Sequence, residues 1–436
     1  MSDINLWDLG GKGDGTNESA ILTAAIATGQ QIFIPYMRKD LSGPATWYFP
    51  AQYNLTSPVV IVGDKRKPLV KQGGAPLFVI RSNHCVIENI MFDQSAQTSE
   101  LHCTIIFDTN FSHSIKGTRI RHCHFGIGQD LSTILGGYRS IADNGGTIVV
   151  NSTTVNTEIV DANISDLVIW GAKSCPLYFT RFHASVYLDQ ITVDFTRNTT
   201  TAINYAGLYI NGVGPGGEAD PGGYGTAGVN MTYVAVQGAG NGTKAAGGNG
   251  FEIKNAFAVD MTLCRADGCA GNGFVFKNLI GCQFTNLVGS QCDLNQYYLT
   301  GLNRCTFTSP FAGGCRGKTG ASSSQDGFGV LGGCSRLIVT GLRVIDATGR
   351  GLRVNDSNSN QFVGLNISDC LGNGFEETGT SNYNIFGAGF TDANGPYNGV
   401  VKGSGTIVEN IIRASGVAAN SATSPPAVAI TVPASF

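Results

Sequence analysis

The chain has 436 residues, of which 14% are charged, and its formal net charge at pH 7 is −3. A nucleic-acid-binding surface needs a stripe of basic residues, and since the sequence has none, no nucleic-acid partner is expected. The sequence also lacks a run of about 18 apolar residues, so no membrane span is expected. Polar, glycine-rich sequence follows Met1–Asp3 directly, and we therefore expect no signal peptide.

Residues 1–62 differ from the rest of the chain and are predicted to form an entry module. The turn-rich run Asp8–Thr16 precedes a predicted helix over Glu18–Thr28, whose apolar residues recur at helical spacing. Ile32–Pro35 is predicted to be a short buried strand, and two further strands are predicted before residue 62.

The most regular part of the sequence lies between Gly250 and Gly374, where one pattern recurs about every 23 residues. A period in this range indicates a solenoid, and alternation with a period of two favours a parallel β-helix over a helical repeat. We therefore predict an all-β fold, with a β-helix over residues 63–412, a glycine-rich insertion at 214–228 and an extended tail at 413–436. The repeat is marked by Asn249–Phe251, Asn272–Phe274, Asp326–Phe328, Arg350–Leu352 and Asn373–Phe375.

Four of the 12 cysteines occupy one position of this repeat. Each follows the corner residue of its coil at the same spacing, so stacked coils are expected to place three of them on adjacent coils, as a ladder of small, buried side chains. Reduced thiols in such a ladder favour folding in a reducing cytoplasm, while disulfides or a bound metal are the competing interpretations. The four are Cys269, Cys292, Cys315 and Cys370.

The register of the repeat also predicts which side chains point outward. Tyr178 and Tyr209 are predicted to form an aromatic platform, with Glu252 and Lys254 further along the same column. Tyrosine rings suit sugar binding because they combine a flat apolar face with a hydroxyl, although tyrosine also simply favours strands. Arg181, just after the Tyr178 strand, is predicted to orient an acidic sugar unless it is an ordinary solvated corner residue.

Carboxylates near this platform are the candidate catalytic groups. Hydrolysis of a glycosidic bond needs two carboxyl groups that flank the bond. Glu252 and Asp194 are predicted to take these roles, with Asp189 as a third candidate, because alternation points Asp189 and Asp194 outward. Each of them can equally be a solvated surface carboxylate, and Asp260 and Asp267 are also available.

The densest cluster of basic residues and histidines is Arg119–His124. Arg119 and Arg121 share one face of a predicted strand, which makes a small anion-binding patch possible. A His-x-His pair can chelate a metal, but no third ligand is evident nearby. We therefore expect neither a metal nor another cofactor.

The entry module resembles that of the pectate-lyase-like superfamily, which includes phage tailspikes and capsule depolymerases. The resemblance implies a right-handed parallel β-helix with a short N-terminal capping helix. It also implies a homotrimer on a phage or prophage tail, located on the virion or released after cytoplasmic folding. The residues that carry the resemblance are Asp8–Gly15, Glu18, Ala20–Ile21 and Ile32–Pro35, with departures at Gly11 and Asn17–Ser19.

The same resemblance implies an enzyme that acts on a bacterial surface polysaccharide, such as a capsule or an O-antigen. The leading expectation is an endo-acting polysaccharide depolymerase that works as a glycoside hydrolase. A first rival is a polysaccharide lyase acting on a uronate-containing glycan, for which Lys254, Arg181 and Tyr209 matter more than the carboxylates. A second rival is a tail protein that binds glycan without cleaving it. The sugar and the stereochemical outcome stay open.

Overall fold

The structure is a computed structural model. It describes residues 3–73, 76–94, 103–108, 114–126, 147–151, 158–170, 175–180, 183–195, 206–212, 227–239, 248–314, 325–392, 394 and 399–413. The chain divides into two compact units, Met1–Gly248 and Asn249–Phe436. Apart from one helix, the regular structure of the described residues consists of strands.

The first unit contains the helix α1, Ser19–Ala27, and strands β1 to β21. In chain order these strands are Asp3–Asn5, Asp14–Asn17, Gln31–Ile34, Thr46–Phe49, Tyr53–Leu55, Val60–Gly63, Leu69–Gln72, Phe78–Ile80, Val86–Glu88, Met91–Asp93, Ile105–Asp108, Ser114–Lys116, Arg119–Arg121, His124–Phe125, Ile148–Asn151, Glu158–Val160, Ala162–Trp170, Leu177–Thr180, His183–Asp194, Leu208–Asn211 and Ala227–Gln237.

The second unit contains strands β22 to β38. In chain order they are Phe251–Thr262, Arg265–Asp267, Phe274–Ile280, Gln283–Thr285, Val288–Ser290, Tyr297–Thr300, Thr306–Thr308, Phe311–Gly313, Phe328–Leu331, Ile338–Thr340, Arg343–Ile345, Leu352–Asn355, Gln361–Ser368, Phe375–Thr378, Ile385–Asp392, Gly399–Val400 and Ile407–Arg413.

Apart from β12 and β16, which pair with each other in parallel, the strands of the first unit stack as three parallel faces. The first face runs β5–β8–β11–β15–β18–β20. The second face runs β1–β3–β6–β9–β13–β17–β19–β21, and the third runs β2–β4–β7–β10–β14 and continues through the later halves of β17, β19 and β21. Each coil contributes one strand to a face, so consecutive strands of a face stand about 4.8 Å apart.

The second unit repeats this plan with more regular coils. Its first face runs β22–β24–β27–β30–β33–β35–β37 through parallel pairing. Phe251, Phe274, Tyr297 and Phe328 follow one another in this register, with ring centroids 4.9, 5.0 and 4.9 Å apart. All four side chains are fully buried, so the aromatic residue of the sequence repeat forms the spine of the core.

An asparagine ladder joins the corners of the same coils. Asn249 Oδ1 accepts a hydrogen bond from the Asn272 amide nitrogen at 2.9 Å, and Asn272 Oδ1 accepts one from the Asn295 amide nitrogen at 3.1 Å. Each corner amide that the strand ladder leaves unpaired is therefore satisfied by the coil before it.

The entry module is built around Trp47. Gly11 packs so closely on this ring that an added Cβ would stand 2.7 Å from Trp47 Cζ3 and 2.8 Å from the Leu6 carbonyl oxygen. Glu18 Oε1 accepts hydrogen bonds from the amide nitrogens of Lys12 and Gly13, at 2.6 and 3.0 Å. The glycine-rich run thus packs against the Trp47 ring and donates hydrogen bonds to the Glu18 carboxylate, just before α1.

The predicted right-handed parallel β-helix with an N-terminal helix is confirmed, and α1 lies within the predicted Glu18–Thr28. The boundaries at residues 62 and 412 stay predictions. Most of the predicted insertion at 214–228 and the tail beyond Arg413 lie outside the described residues. In the described ranges, no helix is long and apolar enough to cross a membrane.

Three of the four cysteines of the predicted thiol ladder lie in the described coils, and the ladder itself stays a prediction. Cys269, Cys292 and Cys370 are free and buried, while Cys315 lies outside the described residues. Every described cysteine is a buried thiol in this structure, as is usual for a small core side chain.

Candidate functional site

An open polar cavity lies on the outer surface of the second face of the first unit. Its volume is about 480 Å³. Strands β13, β17 and β19 supply most of its wall, together with the corner residues that follow or precede them. The lining residues are Arg119, Arg121, His122, Asp161, Asn163, Ser165, Asp166 and Tyr187.

The strand register explains why these side chains meet. In one outward column Arg119 pairs with Asn163, and Asn163 pairs with Tyr187. In the adjacent column Glu88 pairs with Arg121, Arg121 with Ser165, and Ser165 with Asp189. Each step is one strand spacing of about 4.8 Å, so both columns offer a polar group on every coil.

A corner column closes the cavity on the side of the third face. His122, Asp166 and Gln190 hold left-handed backbone conformations, with φ of 54°, 53° and 52°. Residues with short polar or ring side chains tolerate this region better than branched apolar ones. The corner turns the chain between the two faces and projects His122 and Asp166 beside the columns.

Three of these side chains form a charged chain with Glu88. Arg121 Nη2 lies 3.0 Å from Glu88 Oε2, and His122 Nε2 lies 4.0 Å from Glu88 Oε1. The other ring nitrogen, His122 Nδ1, lies 3.4 Å from Asp166 Oδ2. The imidazole therefore stands between two carboxylates, and since all four side chains are partly exposed, the ion pairs are individually weak.

The remaining lining groups present unused hydrogen-bonding capacity. Ser165 Oγ donates to Asn163 Oδ1 at 2.9 Å, which engages the carbonyl side of that amide. Arg119 is exposed, and its guanidinium makes no ion pair or side-chain hydrogen bond with any residue that the structure describes. The Tyr187 side chain is 42% exposed, so one aromatic surface is open to solvent.

Asp189 is the predicted catalytic residue that lies beside this cavity. It is partly exposed and alternates with the buried Leu188 and Ile191, so its predicted outward orientation agrees with the structure. Asp194 is also partly exposed, but the corner at Gln190 separates it from Asp189. Asp194 therefore belongs to the third face, where it pairs in register with Trp170.

Trp170, the register partner of Asp194, lies near a pair of basic groups. Lys67 Nζ donates to His124 Nε2 at 2.6 Å, and the His124 ring lies 5.8 Å from Trp170. Burial lowers the pKa of His124, and the neighbouring Lys67 lowers it further. Burial likewise lowers the pKa of Lys67. The His-x-His sequence thus splits between two faces, with His122 in the cavity and His124 beyond the corner.

Tyr178 and Tyr209 stack as neighbours, with centroids 5.2 Å apart and ring planes inclined by 6°. Their exposed fractions are only 3% and 7%. The predicted aromatic column therefore exists on the first face, but the rings are buried and present little surface to a ligand. Their role as a sugar platform stays a prediction.

Glu252 and Lys254 lie in the second unit and form an ion pair with each other. Glu252 is buried, at 6% exposure, and its Oε2 also accepts a hydrogen bond from Asn249 Nδ2 at 2.9 Å. Both groups are outward neighbours on β22, as predicted, and each satisfies the charge of the other. Their catalytic and binding roles stay predictions.

Arg181 lies outside the described residues. Among the described residues, no cluster of three or more histidine, cysteine, aspartate or glutamate side chains is arranged to hold a metal ion.

Sequence reasoning missed Asp166, Asn163 and Tyr187 as site residues. A signal was available, because the apolar alternation of β17 shifts by one residue between Ile164 and Leu167. Such a shift marks a corner and places Asp166 on it. The signal is weak, since the coils of the first unit differ in length and their register is not visible in the sequence.

Solved structures that align with this chain include bacteriophage proteins. The Dettilon tailspike protein aligns with a TM-score of 0.55 and 12% identity, over 93% of this chain and 68% of that one. Tailspike protein 3 of bacteriophage CBA120 aligns with a TM-score of 0.45 and 14% identity, over 95% of this chain and 60% of that one. The N-terminal fragment of bacteriophage Phi29 gene product 12 gives a TM-score of 0.49 and 12% identity, over 93% and 81%.

At this level of identity the Dettilon likeness concerns the fold, and it confirms the predicted resemblance to β-helical tailspikes at that level. This chain spans about two thirds of the length of the two tailspikes. No protein-family model matches the sequence, and the search of curated proteins finds no match.

Proposed function

We propose that the protein is an endo-acting glycoside hydrolase of a bacterial surface polysaccharide, carried on a phage or prophage tail. The observation that supports it is the position of two carboxylates next to Ser165 of the open polar cavity. Asp166 lines the cavity, and Asp189 pairs in register with Ser165 on the next coil. The name of the Dettilon tailspike, which shares the fold, supports the location on a phage tail.

The proximity of the two backbone positions supports this pair of carboxylates. Asp189 pairs in register with Ser165, and Asp166 is the next residue along the chain. Their Cα atoms therefore lie within about 9 Å, one strand spacing plus one chain step. Carboxyl groups about 5–5.5 Å apart serve retention and groups about 6.5–9.5 Å apart serve inversion, and a Cα separation of this size is compatible with either.

In this mechanism one carboxyl group protonates the leaving glycosidic oxygen, and the other activates water or attacks the anomeric carbon. Asp189 belongs both to the residues predicted from the sequence and to the wall beside the cavity. Asp166 is proposed as the second carboxylate because it lines the cavity next to Ser165, the register partner of Asp189. Glu252 and Asp194 remain candidates for the same roles.

The test is incubation with a panel of capsular and lipopolysaccharide glycans, followed by measurement of reducing ends and chain length. Asp166→Asn and Asp189→Asn are each expected to lower kcat by about 10²–10⁴-fold, because each removes an acid–base group. Asp346→Asn, which changes an exposed corner carboxylate of the second unit, is the matched control and should keep full activity. Full activity in both cavity variants would contradict the assignment.

A polysaccharide lyase is the second candidate, because the residues that line the cavity supply the groups that elimination needs. Arg119 and Arg121 can neutralise a uronate carboxylate, while His122 or Tyr187 can accept the proton next to it. Elimination leaves an unsaturated product that absorbs ultraviolet light, whereas hydrolysis does not. The appearance of that absorbance with each new chain end would replace hydrolysis by elimination.

A homotrimer and a tail location are part of the proposal. Light scattering on the purified protein should give three times the chain mass of 45.7 kDa.

A protein that is retained on a polysaccharide without shortening it would instead be a glycan-binding tail protein.

A further inference from the structure

We infer that the cavity on the second face selects an anionic polysaccharide and that Arg119 binds the carboxylate of this polysaccharide. The inference rests on the proposed function for the class of ligand, a glycan, and adds the charge that the glycan must carry. It depends on the column formed by Arg119, Asn163 and Tyr187, which occupy consecutive coils.

Arg119 is the cation of the cavity with no charged partner among the described residues. The neighbouring Arg121 is paired with Glu88 at 3.0 Å, so its charge is largely balanced within the protein. Arg119 is exposed and lines the cavity, and its side chain makes no such contact with any residue in the described ranges. A planar guanidinium with free donors matches a carboxylate through two parallel hydrogen bonds.

The acidic residues of the cavity stand away from the middle of this column. Asp161 and Asp166 hold left-handed conformations at the corners before and after the outward pair Asn163 and Ser165. The His122 ring lies beside Asp166 at 3.4 Å and offsets part of its charge when protonated. An acidic sugar can therefore bind over the centre of the strand, where the cation lies, rather than over the corners.

The next two coils offer the groups that a sugar ring needs. Asn163 uses its Oδ1 to accept from Ser165 Oγ at 2.9 Å, which leaves its Nδ2 as a donor for a ring hydroxyl. Tyr187, 42% exposed, supplies an aromatic surface one coil further on. The column spans roughly 10 Å from Arg119 to Tyr187, two strand spacings, so a glycan of about two sugar units lies along the helix axis.

The test compares capsular polysaccharides that contain a uronic acid with the same polymers after reduction of the carboxyl groups to alcohols. Binding is measured by affinity electrophoresis of the full-length protein at low ionic strength. We expect a polymer that binds the protein to bind about tenfold more weakly after reduction, the loss of one charge-assisted contact. Arg119→Gln should weaken binding of the acidic form by a similar factor and leave the reduced form unaffected.

Lys116→Gln is the matched control, since it removes one exposed positive charge from the neighbouring strand β12 without touching the cavity. Equal effects of Arg119→Gln and Lys116→Gln would overturn the inference, as would equal binding of acidic and reduced polymers. Unchanged melting temperatures exclude a folding defect in either variant.

The charge selection and the hydrolase activity fail in different ways. Shortening of neutral polymers with no preference for acidic ones would overturn the charge selection and leave the hydrolase proposal standing. Selective binding of acidic polymers without shortening would overturn the hydrolase proposal and leave the charge selection standing. No binding to any member of the panel would overturn both.

Discussion

Nδ1 of His122 lies 3.4 Å from Oδ2 of Asp166, while its Nε2 faces Glu88 at 4.0 Å. The imidazole thus links a carboxylate of one coil to a carboxylate of another across the corner between two faces. If the protein is a hydrolase, His122 affects catalysis only through its contact with Asp166. If the protein is a lyase, His122 itself can remove the proton next to the uronate carboxylate.

His122→Gln separates these two mechanisms. If Asp166 and Asp189 perform hydrolysis, kcat should fall by about fivefold at most, because a partly exposed charge contact contributes little free energy. If His122 is the base of an elimination, kcat should fall by about 10²–10⁴-fold. Initial rates of reducing-end release decide between the outcomes, with His84→Gln, an exposed corner histidine of the first unit, as the control.

Glu252→Gln is expected to lower stability rather than activity. The substitution removes the ion pair between Glu252 and Lys254 and weakens the hydrogen bond from Asn249, which should cost about 1–2 kcal/mol in the free energy of unfolding. Denaturant titration measures that loss. A large fall in kcat with unchanged stability would instead support the prediction that Glu252 is catalytic, and Asp194→Asn is tested in the same assay.

Acidification should destabilise the protein through His124. Because burial and Lys67 lower the folded-state pKa of His124, the unfolded chain binds more protons below about pH 6.5. The free energy of unfolding should therefore fall as the pH drops from about 6.5 through the folded-state pKa. His124→Gln removes this contribution, so its melting temperature should change less than that of the parent protein between about pH 7.5 and about pH 5.

His84→Gln is the control for this measurement too, because His84 is exposed. A pH dependence that is identical in the parent protein and in His124→Gln would contradict the assignment.

The buried thiols should resist alkylation in the folded protein. Burial raises the pKa of Cys103 and of Cys123 to about 12, and that of Cys334 to about 11. Since the thiolate is the reactive form, iodoacetamide at about pH 8 should leave all three unmodified. Peptide mass spectrometry before and after unfolding in guanidinium chloride measures this. Labelling of the folded protein at the rate of a free cysteine would show that these positions open.

The second unit could be predicted well because its coils are nearly identical. Phe251, Phe274 and Tyr297 occupy the same place in each repeat, and the structure pairs them in that order. A buried column of this kind imposes a strict spacing on the sequence, because a slip of one residue would turn each ring outward.

The candidate site was only partly visible for the opposite reason. Arg121, Ser165 and Asp189 come from coils of unequal length, so their spacing in the sequence carries no regular signal. Outward residues also face solvent, where many side chains are compatible with the fold. The basic cluster and Asp189 could be found from the sequence, but only the register of the coils brings them together.

The asparagine ladder at Asn249, Asn272 and Asn295 has a consequence for the evolution of the protein. Each coil in this stretch offers the following coil the same acceptor that it uses on the preceding one. Duplication or loss of a whole coil therefore creates a junction that is chemically equivalent to the one it replaces. The number of coils in the second unit can change in discrete steps while the cavity of the first unit keeps its own sequence.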